Sequence, residues 1–289
     1  MRTIRRFRAL AAAALLPLVA SCVSITENTR ALIYHPEGIA VRSLDCAEAV
    51  RTADERRLQA TAIDASAIRL LTWNIHKQED AGWDRDLARF AAASDILLLQ
   101  EVTLTDPIER ILQSADLGWV MASSFIYRER DIGVLTATRV APVANCTQRT
   151  VEPLLRLPKS AVISWLRLPG TDETLAVINI HAVNFSLTLG AYREQLRALG
   201  DALATHRGPI VLGGDMNTWT DERLDAVREL GARLSLTELT YPEKDLRSLF
   251  LGKQLDHIFV RGLGVTKVEA VAVESSDHNP VFAVLRYPP

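Results

Sequence analysis

The segment LGGDMNTW, Leu212 to Trp219, sets an acid and an amide two residues apart, directly behind two glycines. In an extended chain residues i and i+2 project to one face, so Asp215 and Asn217 can reach the same ligand. Five other short stretches carry side chains of the same kinds. LTWNIHK holds Asn74, His76 and Lys77; LLLQE ends in Glu101; INIHAVN holds His181 and Asn184; LDHIF holds Asp256 and His257; SSDHNP holds Asp277, His278 and Asn279. Carboxylates take up protons and hold hard cations, and amides and imidazoles donate to anionic oxygens. Each residue alone has a plainer reading: Glu101 caps a helix, Asn74 makes a turn, either histidine is a satisfied core group. Six such strand ends in one chain point to a site, because a sheet holds the residues at its strand ends rigidly.

The elements that must position them alternate between strand and helix from Ile68 onward. IRLLTWNI and DILLLQEV have strand length, and WDRDLARFAAA between them has helical spacing. IGVLTATR, AVISWLRL, TLAVINIHA and PIVLGG read as further strands, and QLDHIFV, GVTKVEAVAV and NPVFAVLRY close the series. In LGAYREQLRALGDALATH, Leu189, Tyr192, Leu196, Leu199 and Leu203 recur at helical intervals, one apolar stripe for core packing. A second helix is expected around TDERLDAVREL. Many short strands with few helices predict packed sheets covered by helices. A doubly wound sheet is not expected, since no glycine-rich phosphate loop occurs where that fold needs one.

The order and wording of WN…QE, GGDMN and SDHNPV resemble the endonuclease/exonuclease/phosphatase superfamily, the DNase I-like fold, over about Ile68 to Tyr287. WNIHK, HAVNFSL and LDHIFVRGL look closest to a bacterial branch whose substrates are poorly defined. The resemblance implies an α/β fold, a four-layered sandwich of two packed mixed sheets flanked by helices. It also implies hydrolysis of a phosphate ester with a hard divalent cation, Mg²⁺ or Mn²⁺. By that resemblance Glu101 is the principal metal ligand, Asn74 stands beside it and Asp277 adds a second acidic contact. Asp215 deprotonates the attacking water, and the Asn217 amide binds a phosphate oxygen. His278 stabilises the developing charge with Asp256 behind its ring, and His181 is a second phosphate-facing histidine. The acid that orients His181 has no sequence signal.

The match has departures. Abasic-site endonucleases carry a metal-binding aspartate two residues after the position of Asn74, where this chain has His76, followed by Lys77. This weakens a two-metal reading; His76 and Lys77 contact substrate phosphate or cap the strand. Asn184 and Arg193 are further substrate-contact candidates, and His257 is expected to face away from Asp256 as a structural residue. The rim segment SSFIYRERD, Ser123 to Asp131, sets Arg128 and Arg130 among Phe125 and Tyr127, which either stack a base and hold a phosphate or form a solvated loop.

The 289 residues suffice for one large α/β domain, with 48% hydrophobic and 24% charged residues. A net charge of -2 and a pI near 6.3 argue against a broadly basic nucleic-acid-gripping surface, though not against a local basic groove. The start, MRTIRRFRALAAAALLPLVASC, has the basic and apolar regions of an export signal, and LVASC resembles a bacterial lipobox ending at Cys22. Lipidation of Cys22 is expected; the alternatives are a plain cleaved signal or an uncleaved anchor. Residues 1–21 are then signal peptide, 22–65 a membrane tether and packing arm, and 66–289 the catalytic domain. The chain is expected in the bacterial envelope, lipid-anchored on the periplasmic face, with Val23 leaning towards the outer membrane. Cys46 and Cys146 are an even pair for one disulfide stapling the arm to the domain, or two buried thiols. The first functional reading is a phosphodiesterase acting on nucleic acid or another phosphodiester. A phospholipid or inositol-phosphate hydrolase is the alternative and a non-catalytic binding lipoprotein a third. No obligate protein partner is evident.

Overall fold

A computed structural model describes residues 23–56, 60–186, 188–241 and 244–288. The segment expected to be a signal peptide and Cys22 lie outside the described residues. Two mixed sheets pack face to face. The first has nine strands: β16 (Gly264–Ala270), β17 (Val281–Arg286), β4 (Ile68–Asn74), β5 (Ile96–Thr103), β7 (Arg130–Thr138), β6 (Gly118–Tyr127), β2 (Arg30–His35) and β3 (Gly38–Arg42) in that order, with β1 (Val23–Ser24) on the end of β6. The second runs β12 (Thr237–Glu238), β15 (Asp256–Arg261), β11 (Ile210–Asp215), β10 (Thr174–His181), β9 (Pro158–Arg167) and β8 (Ala144–Val151). A short hairpin, β13 (Leu249–Phe250) and β14 (Lys253–Gln254), stands apart from both.

Strand alternation builds the layers. Leu70, Ile96 and Leu98 face Val177, Val211 and Ile258 between the sheets, whereas Leu71, Leu97 and Leu99 turn outward. There they meet Leu87 and Phe90 of α2 (Trp83–Ala93) and Ile108 and Leu112 of α3 (Asp106–Ser114). On the other outer face, Ile178, Ile180, Ile210 and Leu212 pack against α4 (Gly190–Ala202) and α5 (Asp221–Leu234). Tyr192, Leu196, Leu199 and Leu203 are all buried there. The four layers are those of the DNase I-like sandwich.

The arm is more than an attachment. β2 pairs with β6 and extends the first sheet, and α1 (Cys46–Arg56) starts at the cysteine that forms a disulfide with Cys146 of β8. These strands lack a clear sequence period because β3 is a sheet edge whose apolar Ile39 and Val41 stay exposed. The segment 123–131 is likewise not a loop. β6 and β7 run through it, and only Arg128 and Glu129 turn, both at positive φ as a tight hairpin turn requires.

Candidate active site

The site lies where two parallel strand pairs, β4–β5 and β10–β11, end side by side. Asn74 and Asp215 are the last residues of β4 and β11, and the Asn74 Nδ2 donates to Asp215 Oδ2 at 3.0 Å. The two glycines before Asp215 permit this approach. A Cβ on Gly214 (φ +144°) would fall 2.0 Å from the Ile180 carbonyl oxygen, and one on Gly213 would fall 2.8 Å from Leu98 Cδ1. Asp215 Oδ1 accepts the Asn217 backbone N–H at 3.0 Å, while the Asn217 amide donates to the Ala182 carbonyl at 3.0 Å. That amide therefore first serves to fix the loop after β10.

Glu101 sits on a bulge of β5, where the register with β7 shifts between Leu99 and Val102, at φ +53°. His76, Lys77 and Gln78 all have positive φ, and this turn lays the Lys77 ammonium on the Glu101 carboxylate. Lys77 is thus paired across the mouth, and His76 is bound to Asp80 at 2.7 Å, which raises the His76 pKa against burial. Lys159, at the start of β9, donates to His181 Nε2 at 2.9 Å and lies 3.8 Å from Glu101. An ammonium only donates, so His181 Nε2 is the bare nitrogen of the ring. Burial, then Lys159, press the His181 pKa down to about 4, and the ring is neutral near pH 7. Burial opposes ionisation of Glu101, yet the cations around it hold its pKa at about 2; with His181 uncharged, Lys159 and Lys77 do this at neutral pH.

His278 behaves oppositely. Its Nδ1 pairs with Asp256 Oδ2 at 2.7 Å, and its Nε2 lies 3.9 Å from Asp215. Burial disfavours the charged ring, but Asp256 and then Asp215 outweigh it and raise the pKa to about 10. The loop is pinned by Trp73 Nε1 donating to the His278 carbonyl at 2.9 Å and by Ser276 Oγ donating to the Asn74 carbonyl at 2.7 Å. A carboxylate able to take a proton and an imidazolium able to give one therefore face each other across a gap.

The family model for the Endonuclease/Exonuclease/phosphatase family matches residues 71–278, from β4 through His278. The chain belongs to that family. It is 36% identical over 250 residues to a UPF0294 protein of Vibrio parahaemolyticus, covering 86% of this chain and 88% of the relative. A UPF0294 protein of Klebsiella pneumoniae is 38% identical over 215 residues, covering 74% of this chain and 80% of that one. Among solved structures, an endonuclease/exonuclease/phosphatase from Beutenbergia cavernae superposes with a TM-score of 0.60 at 21% identity, over 76% of this chain and 72% of that one. The human Nocturnin catalytic domain with bound sulfate gives 0.58 at 19% identity, over 79% and 97%. Membership makes the chain a phosphoesterase, a hydrolase of the nuclease-like class.

Family members usually work with a divalent metal. Glu101 fits one: it is ionised and an oxygen donor, and a metal there would take the place of the Lys77 ammonium that now neutralises it. The Asn74 amide oxygen accepts the His76 N–H at 3.0 Å and keeps a second lone pair. Ligand atoms of Asp215, Asp256 and His278 also lie within 4.8 Å of one another. There, however, His278 is an imidazolium held by Asp256 and has no lone pair to give. Asp277 is on the rim, its side chain 59% exposed and 3.9 Å from His76.

Other candidates resolve as follows. The Asn184 carbonyl side-chain oxygen accepts from Trp219 Nε1 at 2.9 Å, at the edge of the mouth. His257 is buried and hydrogen-bonded to Thr218 and Glu238, each at 2.7 Å, a structural residue. Arg193 pairs with Glu229 between α4 and α5 and does not join the group at the mouth. Arg128 stacks over Tyr127. Lys159 is the site residue with no sequence motif. As the first charged residue after Pro158 it reads as an exposed strand start, and only the antiparallel pairing of β9 with β10 brings it to His181.

Proposed function

We propose that this chain is a metal-dependent phosphodiesterase in which Asp215 takes the proton of the attacking water. The observation that carries the reading is the approach of the His278 imidazolium, backed by Asp256, to 3.9 Å from Asp215. Asp215 is oriented by the Asn74 amide and the Asn217 N–H, which leave it a fixed acceptor. His278 donates to a phosphate oxygen and stabilises the charge that builds there. Lys159 adds a second cation from the opposite wall, and His181, neutral, accepts from Lys159 and fixes where its ammonium points. Glu101, with Asn74, would hold Mg²⁺ or Mn²⁺, which when bound polarises the phosphoryl oxygens. His76, Lys77, Asn184 and Asp277 rim the mouth as candidate substrate and metal contacts.

We infer that the chain is exported and held in the bacterial envelope through Cys22. The Cys46–Cys146 bridge supports this, since such bonds persist in oxidising compartments. The catalytic reading is tested with bis-p-nitrophenyl phosphate, with Mg²⁺, Mn²⁺ or chelator, against Glu101→Ala and His278→Ala. Metal-dependent turnover lost in both variants is expected. Turnover that survives His278→Ala refutes the assignment.

A further inference from the structure

Seven of the eleven large apolar side chains exposed among the described residues stand on three loops at the catalytic end. Val151, Leu154 and Leu155 lie at the β8–β9 connection, Phe185 follows β10, and Leu249, Phe250 and Leu251 form the β13–β14 hairpin just before Asp256. These loops form one collar. Glu152 accepts the backbone N–H groups of Asn184 and Phe185 at 2.6 and 3.2 Å, Trp219 donates to Asn184, and the Trp219 ring meets Phe250 edge-on at 6.4 Å. An apolar rim of this kind around one mouth marks a contact surface.

The placement of the N-terminus indicates what covers it. β1 pairs Val23 with Tyr127 and Ser24 with Ile126, beside the turn of the β6–β7 hairpin. That turn is at the catalytic end, because β7 pairs Ile132 with Thr103, two residues beyond Glu101 on β5. The chain before Val23 therefore leaves the fold at the collar's end, and its sequence there is an apolar run behind Arg2, Arg5, Arg6 and Arg8, closing at Cys22. A tether with membrane affinity leaving from this end brings the collar, not the opposite end, to the bilayer. Arg128 and Arg156, exposed on the same rim, suit anionic headgroups.

We propose that Leu154, Leu155, Phe185, Leu249, Phe250 and Leu251 seat the mouth of the site on a lipid bilayer, and that the substrate is a phosphate ester carried in that bilayer. The apolar side chains enter the acyl boundary while the headgroup phosphate reaches Asp215 and His278. The substrate half rests on the phosphodiesterase reading; the docking half stands without it.

A chain beginning at Val23 keeps every strand of both sheets and the Cys46–Cys146 bridge, so it presents the collar without the anchor. Its partition is measured by sedimentation with vesicles of phosphatidylethanolamine containing phosphatidylglycerol, alongside the triple variant Leu154→Ser, Phe185→Ser, Phe250→Ser. The parent chain is expected to sediment. The variant should partition about a hundredfold less, the loss expected when three half-exposed apolar side chains no longer enter an apolar phase. Its turnover of soluble bis-p-nitrophenyl phosphate should be unchanged, and its turnover of vesicle phospholipid should fall with the partition. A parent chain that stays in the supernatant, or a variant that sediments equally, overturns the docking. So does a concentration-dependent dimer of the parent that the variant loses, since a second copy then covers the collar. Vesicle binding with no turnover of vesicle phospholipid, while the soluble ester is hydrolysed, overturns the substrate half alone.

Discussion

Replacing Lys159 with methionine tests the electrostatics of the site most directly. Its ammonium is 2.9 Å from His181 Nε2 and 3.8 Å from Glu101, on a side chain only 16% exposed. Methionine keeps most of the volume and removes the charge. Burial and Lys159, in that order, hold the His181 pKa at about 4, so without the lysine the ring should titrate higher, towards the side favoured by Asp215 and Glu101. Lys77 remains on Glu101, so that carboxylate stays ionised at neutral pH. In the transition state the lost donor is a charged group among largely buried side chains, where one such interaction is worth about 2.7–4 kcal/mol, or roughly 10²–10³ in rate. The assays are kcat/KM for bis-p-nitrophenyl phosphate and an NMR titration of the His181 ring. Lys159→Arg restores the charge and should recover most of the rate, which a packing defect would not explain. A change in kcat/KM under about threefold, or a His181 titration that does not move, refutes the reasoning.

Asp256→Asn removes the carboxylate that holds the His278 ring and its charge, and should lower kcat on the order of a hundredfold or more while circular dichroism stays unchanged. Gly214→Ala places a methyl 2.0 Å from the Ile180 carbonyl oxygen at φ +144°, which should cost at least about 3 kcal/mol and lower Tm by roughly 10 °C in a thermal melt. Reducing the Cys46–Cys146 bridge frees a loop of 100 residues and should cost about 3–5 kcal/mol in urea unfolding, with the mouth of the site untouched. Asp95 accepts from Arg69 at 2.6 Å; burial alone would raise its pKa, but Arg69 and then Arg139 hold it below 3.8. Its contribution to stability is therefore complete above pH 3.8 and lost as the pH falls towards the folded value, so Asp95→Asn should flatten that part of the acid-denaturation curve.

Much of the site is visible in the sequence because Asn74, Glu101, His181 and Asp215 each follow an apolar run long enough to be a buried strand. The residue after such a run must emerge at an end of the sheet. Helix α4 is as visible, since its stripe has one period and one buried face. Lys159 is hidden for the converse reason. It opens its strand, where a lysine is ordinarily a solvated edge charge, and it meets His181 only because β9 runs antiparallel to β10. The collar is hidden as well, because isolated leucines and phenylalanines in three loops have no common period. They share a surface only through Glu152, Asn184 and Trp219.

The join between the sheets explains why these strand ends meet so closely. Glu101 and Asn74 come from one sheet, His181 and Asp215 from the other, and a slip of either by one residue would turn its site residues to the wrong face. Buried Gln100 and Asn179 guard against that slip. Gln100 Nε2 donates to Asn179 Oδ1 at 2.7 Å and Asn179 Nδ2 to the Leu135 carbonyl at 2.9 Å, with the buried Thr72 and Thr136 hydroxyls beside them and aliphatic side chains around. Aliphatic contacts tolerate sliding, but an unmatched buried amide costs about 1–3 kcal/mol. Gln100 immediately precedes Glu101, and Asn179 lies two residues before His181, so the hydrogen bonds these two amides make between the sheets bear on the register of both halves of the site. The apolar core supplies cohesion between the sheets, and this polar pair, with the Asn74–Asp215 and Ser124–Ser160 hydrogen bonds, fixes how the two strand sets are aligned.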